Sequence, residues 1–343
     1  MAHLKSLFDN RAKLIIAIVL LAIVLALAIP SIMGNQFVMN MIVMIFIYAT
    51  LASAWNIIGG YAGQLSLGHA SFFGIGAYSV VLLNINYGIS PWLGMIVGIV
   101  LPIIAAIIIG WPCFRLRGPF FCLATIAVGE VLRVLAINLT DLTFGAVGVS
   151  VPMTKYGFSN MLFSGKWVYM IITAIILALV LYVTYKLERS RLGYYLVAIR
   201  EDQDAAASLG VNERSSKIIS FAISAIFTAV SGSIYAQFIL YIDPASVFAS
   251  NISLQMVVMS VIGGLGTLWG PMLGALLMVP MNELIRAYFG GTMHGLNLLI
   301  YSVLLIIVIL IIPRGIYPTL VDWVKKYEKT KKDSVKAGEQ TNG

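Results

Sequence analysis

The sequence predicts an all-α polytopic membrane protein of about ten transmembrane helices, and three observations carry that expectation. Of its 343 residues 60% are hydrophobic and only 10% are charged. A soluble domain carries about a quarter charged residues, so this chain has too few to cover a water-facing surface. The apolar residues fall in runs long enough to cross about 30 Å of hydrocarbon. Helices are the structures that satisfy their own backbone polar groups there. The cations lie between and after these runs, where membrane topology places them. The formal net charge of +8 is explained in this way. No basic patch with interleaved aromatics points to nucleic acid.

In chain order, Lys5, Arg11 and Lys13 precede an apolar run at 14–29 that ends at Pro30. This has the form of a signal peptide, with a small-x-small site at Ala26-Leu27-Ala28. The run is long for a cleaved segment, which favours an uncleaved first span. Further spans are expected at 37–58, 65–85, 92–114, 119–139, 167–185, 218–240, 252–262, 270–288 and 296–312. The 252–262 run is too short to cross alone. Either it recruits the polar-flecked 245–251, or it is a half-helix that breaks at Gly263-Gly264.

Ten spans put four basic clusters on one side: 5–13, Arg115 with Arg117, 186–217 and 314–336. Short loops rich in Lys and Arg mark the cytoplasm. The opposite loops carry only Lys155, Lys166 and, at a span edge, Arg286. Fusing 252–288 into one span would strand the basic tail outside, so that region is divided in two. The expected organisation is a cytoplasmic N-terminus at 1–13, a transmembrane domain at 14–313 with a large cytoplasmic loop at 186–217, and a basic cytoplasmic tail at 314–343. The tail lacks apolar periodicity and reads as disordered. Its lysines suit anionic lipid, at about 1 kcal/mol each near the surface.

Ile58-Gly59-Gly60 and Ile262-Gly263-Gly264 each precede a glycine-rich span. These two spans are read as running in opposite directions, which suggests a five-plus-five inverted repeat. Chance recurrence is the competing explanation.

Four stretches are candidates for function. Residues 59–78 combine repeated glycines with Gln64, Ser66, Gly68, His69 and Ser71. Tight helix packing explains the glycines. A glycine-broken helix lining a substrate pathway explains both the glycines and the polar groups. In 115–150, Glu130 falls near mid-span with Arg133 one turn later on the same face. These form either a self-shielding ion pair or part of a pathway or gate. Asn138, Thr140, Asp141 and Thr143 follow as a candidate vestibule. Residues 251–274 contain GGLGTLWGPMLG, which implies a sharp re-entry. In 189–217, residues 200–209 suit a short helix with one small alanine face and a charged face of Arg200, Glu201, Asp202 and Asp204. Gly210 provides a C-terminal stop. Such a helix is either a solvated loop element or a plug for a groove on a partner.

Absent chemistry narrows the function. Ser164-Gly165-Lys166-Trp167 fails as a phosphate-binding loop, because Asn160 stands where glycine is required and Trp167 follows the lysine. There is no GxSxG, H-E-x-x-H or CxxC. Cys113 and Cys122 read as packing thiols, and His3, His69 and His294 are scattered. The chain is therefore not expected to be an enzyme or to hydrolyse ATP.

Four segments in order, GYAGQLSLGHASFFGIGAY, RLRGPFFCLATIAVGEVLRVL, AIREDQDAAASLGVN and IGGLGTLWGP, resemble the LivM-type permeases. These are membrane subunits of ABC importers for branched-chain amino acids, and the likeness runs from about 40 to 313. It implies a heterodimer with a LivH-like permease, two cytoplasmic ATP-binding subunits that use ATP and magnesium, and an extracytoplasmic protein delivering leucine, isoleucine or valine. It also implies the bacterial inner membrane, both termini cytoplasmic and no cofactor in this chain. Asp204 to Gly210 matches the family's E-A-A-x-x-x-G coupling signature with Asp for Glu. That assigns Arg200, Asp204, Ala205, Ala206 and Gly210 to ATPase coupling. Gln64, Ser66, Gly68, His69, Glu130, Arg133, Asn138 and Thr143 are the expected pathway. Permeases for urea or short amides share the motifs, and an ion-coupled secondary carrier is the rival class.

Overall fold

The computed structural model describes residues 35–152, 156–289 and 315–323, with isolated positions between 299 and 310. The expected span at 14–29, Lys155, His294, most of 296–312 and the lysine-rich tail beyond 323 lie outside the described residues.

The described chain is helical almost throughout: α1 (Gln36–Asn56), α2 (His69–Tyr87), α3 (Pro91–Cys113), α4 (Pro119–Asn138), α5 (Lys166–Glu188), α6 (Arg191–Glu201), α7 (Gln203–Ser208), α8 (Glu213–Ile239), α9 (Pro244–Val247), α10 (Ser250–Gly263) and α11 (Gly270–Phe289). Among the described residues, seven segments are long and apolar enough to cross a membrane: α1 with its following turn, α2, α3, α4, α5, α8, and α9 together with α10. At 20 residues α11 is also about 30 Å long, at 1.5 Å per residue.

Local chemistry sets the boundaries. Asn35 caps α1 by accepting from the Phe37 and Val38 N–H groups. Pro91 and Pro119 open α3 and α4, where a missing N–H costs nothing. After Asn56 the backbone widens into a π-turn, Ile57–Tyr61, and 62–68 is not helical. The span expected from 65 therefore begins only at His69. Asp243 and Ser246 form a reciprocal capping box around α9. The 245–251 segment is thus largely helical, and the eighth expected span is a kinked crossing, Pro244–Gly263, rather than a half-helix.

The centre of the bundle is α1, α8 and α2, with 72%, 67% and 61% of their crossing windows buried, against 22% for α4. The α2–α8 contact explains glycines that suggested a broken helix. A Cβ on Gly232 would overlap the Phe73 carbonyl, and one on Gly76 would overlap the Ala229 carbonyl. Small residues let the two backbones meet. Ser233 Oγ then donates to the Gly76 carbonyl at 2.9 Å. Helix α2 is continuous through Gly74 and Gly76.

The glycine loops after α1 and α10 meet at one end of the bundle. Gly266 N–H donates to Asn56 Oδ1 at 2.9 Å, and Asn56 Nδ2 donates to the Thr267 carbonyl at 3.0 Å. Helices α2 and α11, which leave these loops, therefore run in the same direction. Five crossings separate them, and an odd number restores direction. The opposite-direction reading of the glycine echo is corrected, and the inverted repeat loses its support. At the far end a two-residue ladder, Val149–Ser150 with Tyr241–Ile242, ties the loop after α4 to the α8–α9 connection.

Candidate functional site

The polar loop at 186–217 folds into α6 and α7 beside the glycine loops. A single helix at 200–209 does not form. Asp202 is extended (φ −155°, ψ 115°), and its side chain accepts from the Asp204 and Ala205 N–H groups, both at 2.9 Å. A residue that caps the start of α7 in this way cannot also continue α6. The alanines do not share one face either. Ala206 is buried, whereas Ala205 and Ala207 are exposed. Gly210 stops the helix at φ +83°, with its N–H on Ala207 O and the Val211 N–H on Ala206 O. Beside it Leu209 is 85% exposed. The sequence reading passed over Leu209, although an apolar residue next to a stop glycine in a charged loop was the available signal.

Two arginines fix this element. Arg117, from the loop between α3 and α4, donates to both Asp204 carboxylate oxygens at 2.9 and 2.8 Å. Its hydrogen bonds and charge hold the Asp204 carboxyl below the usual range. Asp204 in turn raises the Arg117 guanidinium. Both side chains are exposed, so the pair orients α7 more than it stabilises the fold. Arg200 donates through Nη1 to the Gly60 carbonyl at 3.1 Å and through Nε and Nη2 to Glu201. Its stem lies against Gly63 and its guanidinium beside Gly266. Arg200 thus joins α6–α7 to the loops that end α1 and α10.

The residues of 64–69 are drawn mostly into the interior. Trp55 Nε1 donates to the Ser66 carbonyl at 2.7 Å. His69 is fully buried, with Nδ1 3.0 Å from Ser66 Oγ and Nε2 2.9 Å from Ser224 Oγ. Ser224 donates its own proton to the Ala54 carbonyl at 2.6 Å. Its oxygen must therefore accept from Nε2–H, which leaves Nδ1 to accept from Ser66. One neutral tautomer closes a chain linking α1, the 62–68 loop, α2 and α8. Leu67 N–H donates to Thr125 Oγ1 at 3.1 Å, and Gly68 packs on the Thr125 backbone. Gln64 is half-buried and donates to the Ala62 carbonyl. Ser71 Oγ is buried without a hydrogen-bond partner among the described residues.

Glu130 and Arg133 pair on α4, with Arg133 Nε 3.1 and 3.0 Å from the two carboxylate oxygens. They do not lie inside the described bundle; their side chains are 47% and 29% exposed. The same helix exposes Leu123, Val131 and Val134. Asn138 is exposed near its end and donates to the Val134 carbonyl. Thr143 is buried, with its hydroxyl on the Leu139 and Ala136 carbonyls. Glu130, Arg133 and Asn138 therefore share one helix, while Ser66 and His69 form a separate interior group. Among the described residues no group of His, Cys, Asp and Glu is arranged to hold a metal ion.

The family model for the branched-chain amino acid transport system permease component matches residues 37–312. The chain belongs to this family. It is 30% identical over 319 residues to the high-affinity branched-chain amino acid transport system permease protein LivM of Escherichia coli K12, covering 86% of this chain and 73% of that protein. To the LivH permease protein of the same organism it is 28% identical over 292 residues, covering 78% and 90%. PsaBC from Streptococcus pneumoniae in complex with Fab superposes with a TM-score of 0.44 at 15% identity, over 82% of this chain and 94% of that one. As a branched-chain amino acid permease component the chain is a multi-pass membrane protein and a transport subunit. Around His69 and Arg200 the polar groups hold helices and loops together.

Proposed function

We propose that this permease component is one of two membrane subunits of an ATP-driven importer for leucine, isoleucine and valine in a bacterial inner membrane. Its partners are a LivH-like permease, two cytoplasmic subunits that bind ATP and magnesium, and an extracytoplasmic binding protein that delivers the solute. The chain crosses ten times, with α6–α7 and both termini in the cytoplasm. The described crossings, α11 and the apolar runs at 14–29 and 296–312 make up that number.

The observation that carries this reading is the α6–α7 unit. Leu209 stands out beside the Gly210 stop, Arg117 orients Asp204, and Arg200 ties the unit to the loops ending α1 and α10. An exposed apolar tip on a polar loop suits a groove on another protein. When the ATPases close, α7 moves as their load. Arg200 passes that displacement to Gly60 and the loop at Gly266, and so to the bundle. Ala205 borders the docking face and Ala206 seats α7 on the chain. The solute passes the 64–69 segment and the exposed face of α4, where Gln64, Glu130, Arg133 and Asn138 offer polar groups; Ser66, Gly68, His69 and Thr143 shape the wall behind them.

Gly210→Trp tests the coupling. A side chain at φ +83° is strained, and the indole would occupy the docking face. Loss of ATPase co-purification and of uptake, with the permease still folded, is expected. Retention of both sinks the reading. Liposomes holding this chain alone test the rival carrier, which would accumulate leucine on a proton or sodium gradient without ATP.

A further inference from the structure

One cavity plays no part in the reading above. It has a volume of about 220 Å³ and lies between α1, α8, α10 and α11. From Met278 to Arg286 it runs eight residues along α11, roughly 12 Å at 1.5 Å per residue, toward the end opposite α7. Sites for drug-sized ligands enclose roughly 300–1,000 Å³, so this one suits a smaller solute.

Its lining is polar on one side, with Gln255, Asn282 and Glu283 half-buried and Arg286 exposed at its outer end. Among the described residues their side chains make no hydrogen bond and no ion pair. Glu283 and Arg286 are one turn apart on α11 without pairing, whereas Glu130 and Arg133 at the same spacing do pair. Glu283 and Arg286 lie in the last two turns of α11, near the edge of the crossing. Tyr235 also borders it, with its ring set against Phe73. Met44, Met259 and Met278 also line it and supply apolar, adaptable surface.

A cation and an anion that do not pair, beside two amides and three methionines, fit a zwitterion with an aliphatic side chain. We propose that this cavity binds a free α-amino acid on its way in. Arg286 takes the carboxylate, Glu283 the ammonium, and the methionines the branched side chain. This rests on the reading that branched-chain amino acids pass this chain and that α7 faces the cytoplasm.

Thiol protection tests it in the full chain, co-expressed with its partner subunits, in right-side-out vesicles. Asn282→Cys is placed in a Cys113→Ala, Cys122→Ala background and labelled with a membrane-impermeant methanethiosulfonate. Saturating L-leucine should slow labelling, while leucinamide, lacking the carboxylate, and 4-methylpentanoate, lacking the ammonium, should not. Adding Arg286→Gln should weaken the leucine protection about tenfold, as expected for one lost charge-assisted hydrogen bond. Met278→Cys serves if Asn282→Cys does not assemble. A cysteine unreactive from that face, no protection by leucine, or equal protection by all three compounds overturns the proposal. Leucine uptake by cells carrying the wild-type complex separates the two readings. Uptake without protection removes only the cavity; absent uptake removes the transport reading and the cavity with it.

Discussion

Two polar groups sit within the same apolar bundle, and they are built in opposite ways. Around His69 each hydrogen-bonding atom of the Ser66–His69–Ser224 chain is matched, down to the proton that Ser224 gives to Ala54. Around Asn282 the side chains of Gln255, Asn282, Glu283 and Arg286 have no hydrogen-bond partner among the described residues and border a cavity. A matched buried group stabilises the fold, whereas half-buried and exposed polar groups beside a cavity are open to a solute. The difference separates residues that hold the bundle together from residues placed to meet a solute.

The largest expected effect comes from breaking the matched group. His69→Leu leaves the Ser66 and Ser224 hydroxyls without their shared partner. Each orphaned buried group costs about 1–3 kcal/mol, so a clear fall in melting temperature and in yield from membranes is expected. Differential scanning fluorimetry in detergent would read it, and an unchanged melt would remove the structural role assigned to His69.

A smaller effect should follow from Arg200→Ala. Arg200 is satisfied by Gly60 and Glu201 but sits at the surface, so its loss should spare the melt. The prediction is continued ATP hydrolysis by the assembled complex with reduced uptake. Hydrolysis and uptake falling in step would argue against a transmitting role for this side chain.

The smallest effect concerns Asp204 and Arg117, an exposed matched pair. The folded carboxyl is depressed, so the pair's contribution is present above the ordinary carboxylate pKa and fades only as pH falls through the lower, folded value. ATPase retention on the permease should therefore hold through mildly acidic buffer and weaken only in stronger acid. In Arg117→Gln the loss should come at higher pH; coincident curves would show that Arg117 does not govern Asp204.

Much of the architecture was legible because hydrophobic runs and basic loops obey the physics of the bilayer directly. The stop at Gly210 followed from glycine's conformational freedom, whereas the short 252–262 run left two readings open, which the helical Pro244–Gly263 segment decides. The i, i+3 pairing of Glu130 with Arg133 was equally readable, but its exposure was not, because periodicity does not say which face of α4 meets a neighbour. His69 illustrates the same limit. Its place at membrane depth was visible, yet its role depends on Ser224, 155 residues away. The break at Asp202 was missed because local propensity favoured one helix, while the Asp side chain chose to cap a new one. Asn282 and Glu283 went unnoticed because they lie near the end of an apolar span, where polar residues are ordinary. Only the convergence of α1, α8, α10 and α11 makes them a group.

The most direct test of the contrast compares Ser224→Ala with Asn282→Ala in one purified complex, measuring melting temperature and leucine uptake for each. Ser224→Ala should lower the melt, because it unseats His69 and frees the Ala54 carbonyl. Asn282→Ala should leave the melt unchanged and raise the leucine concentration needed for half-maximal uptake. The reverse pattern, a destabilised Asn282→Ala with normal uptake beside an unaffected Ser224→Ala, would contradict the division of these two groups into structure and site.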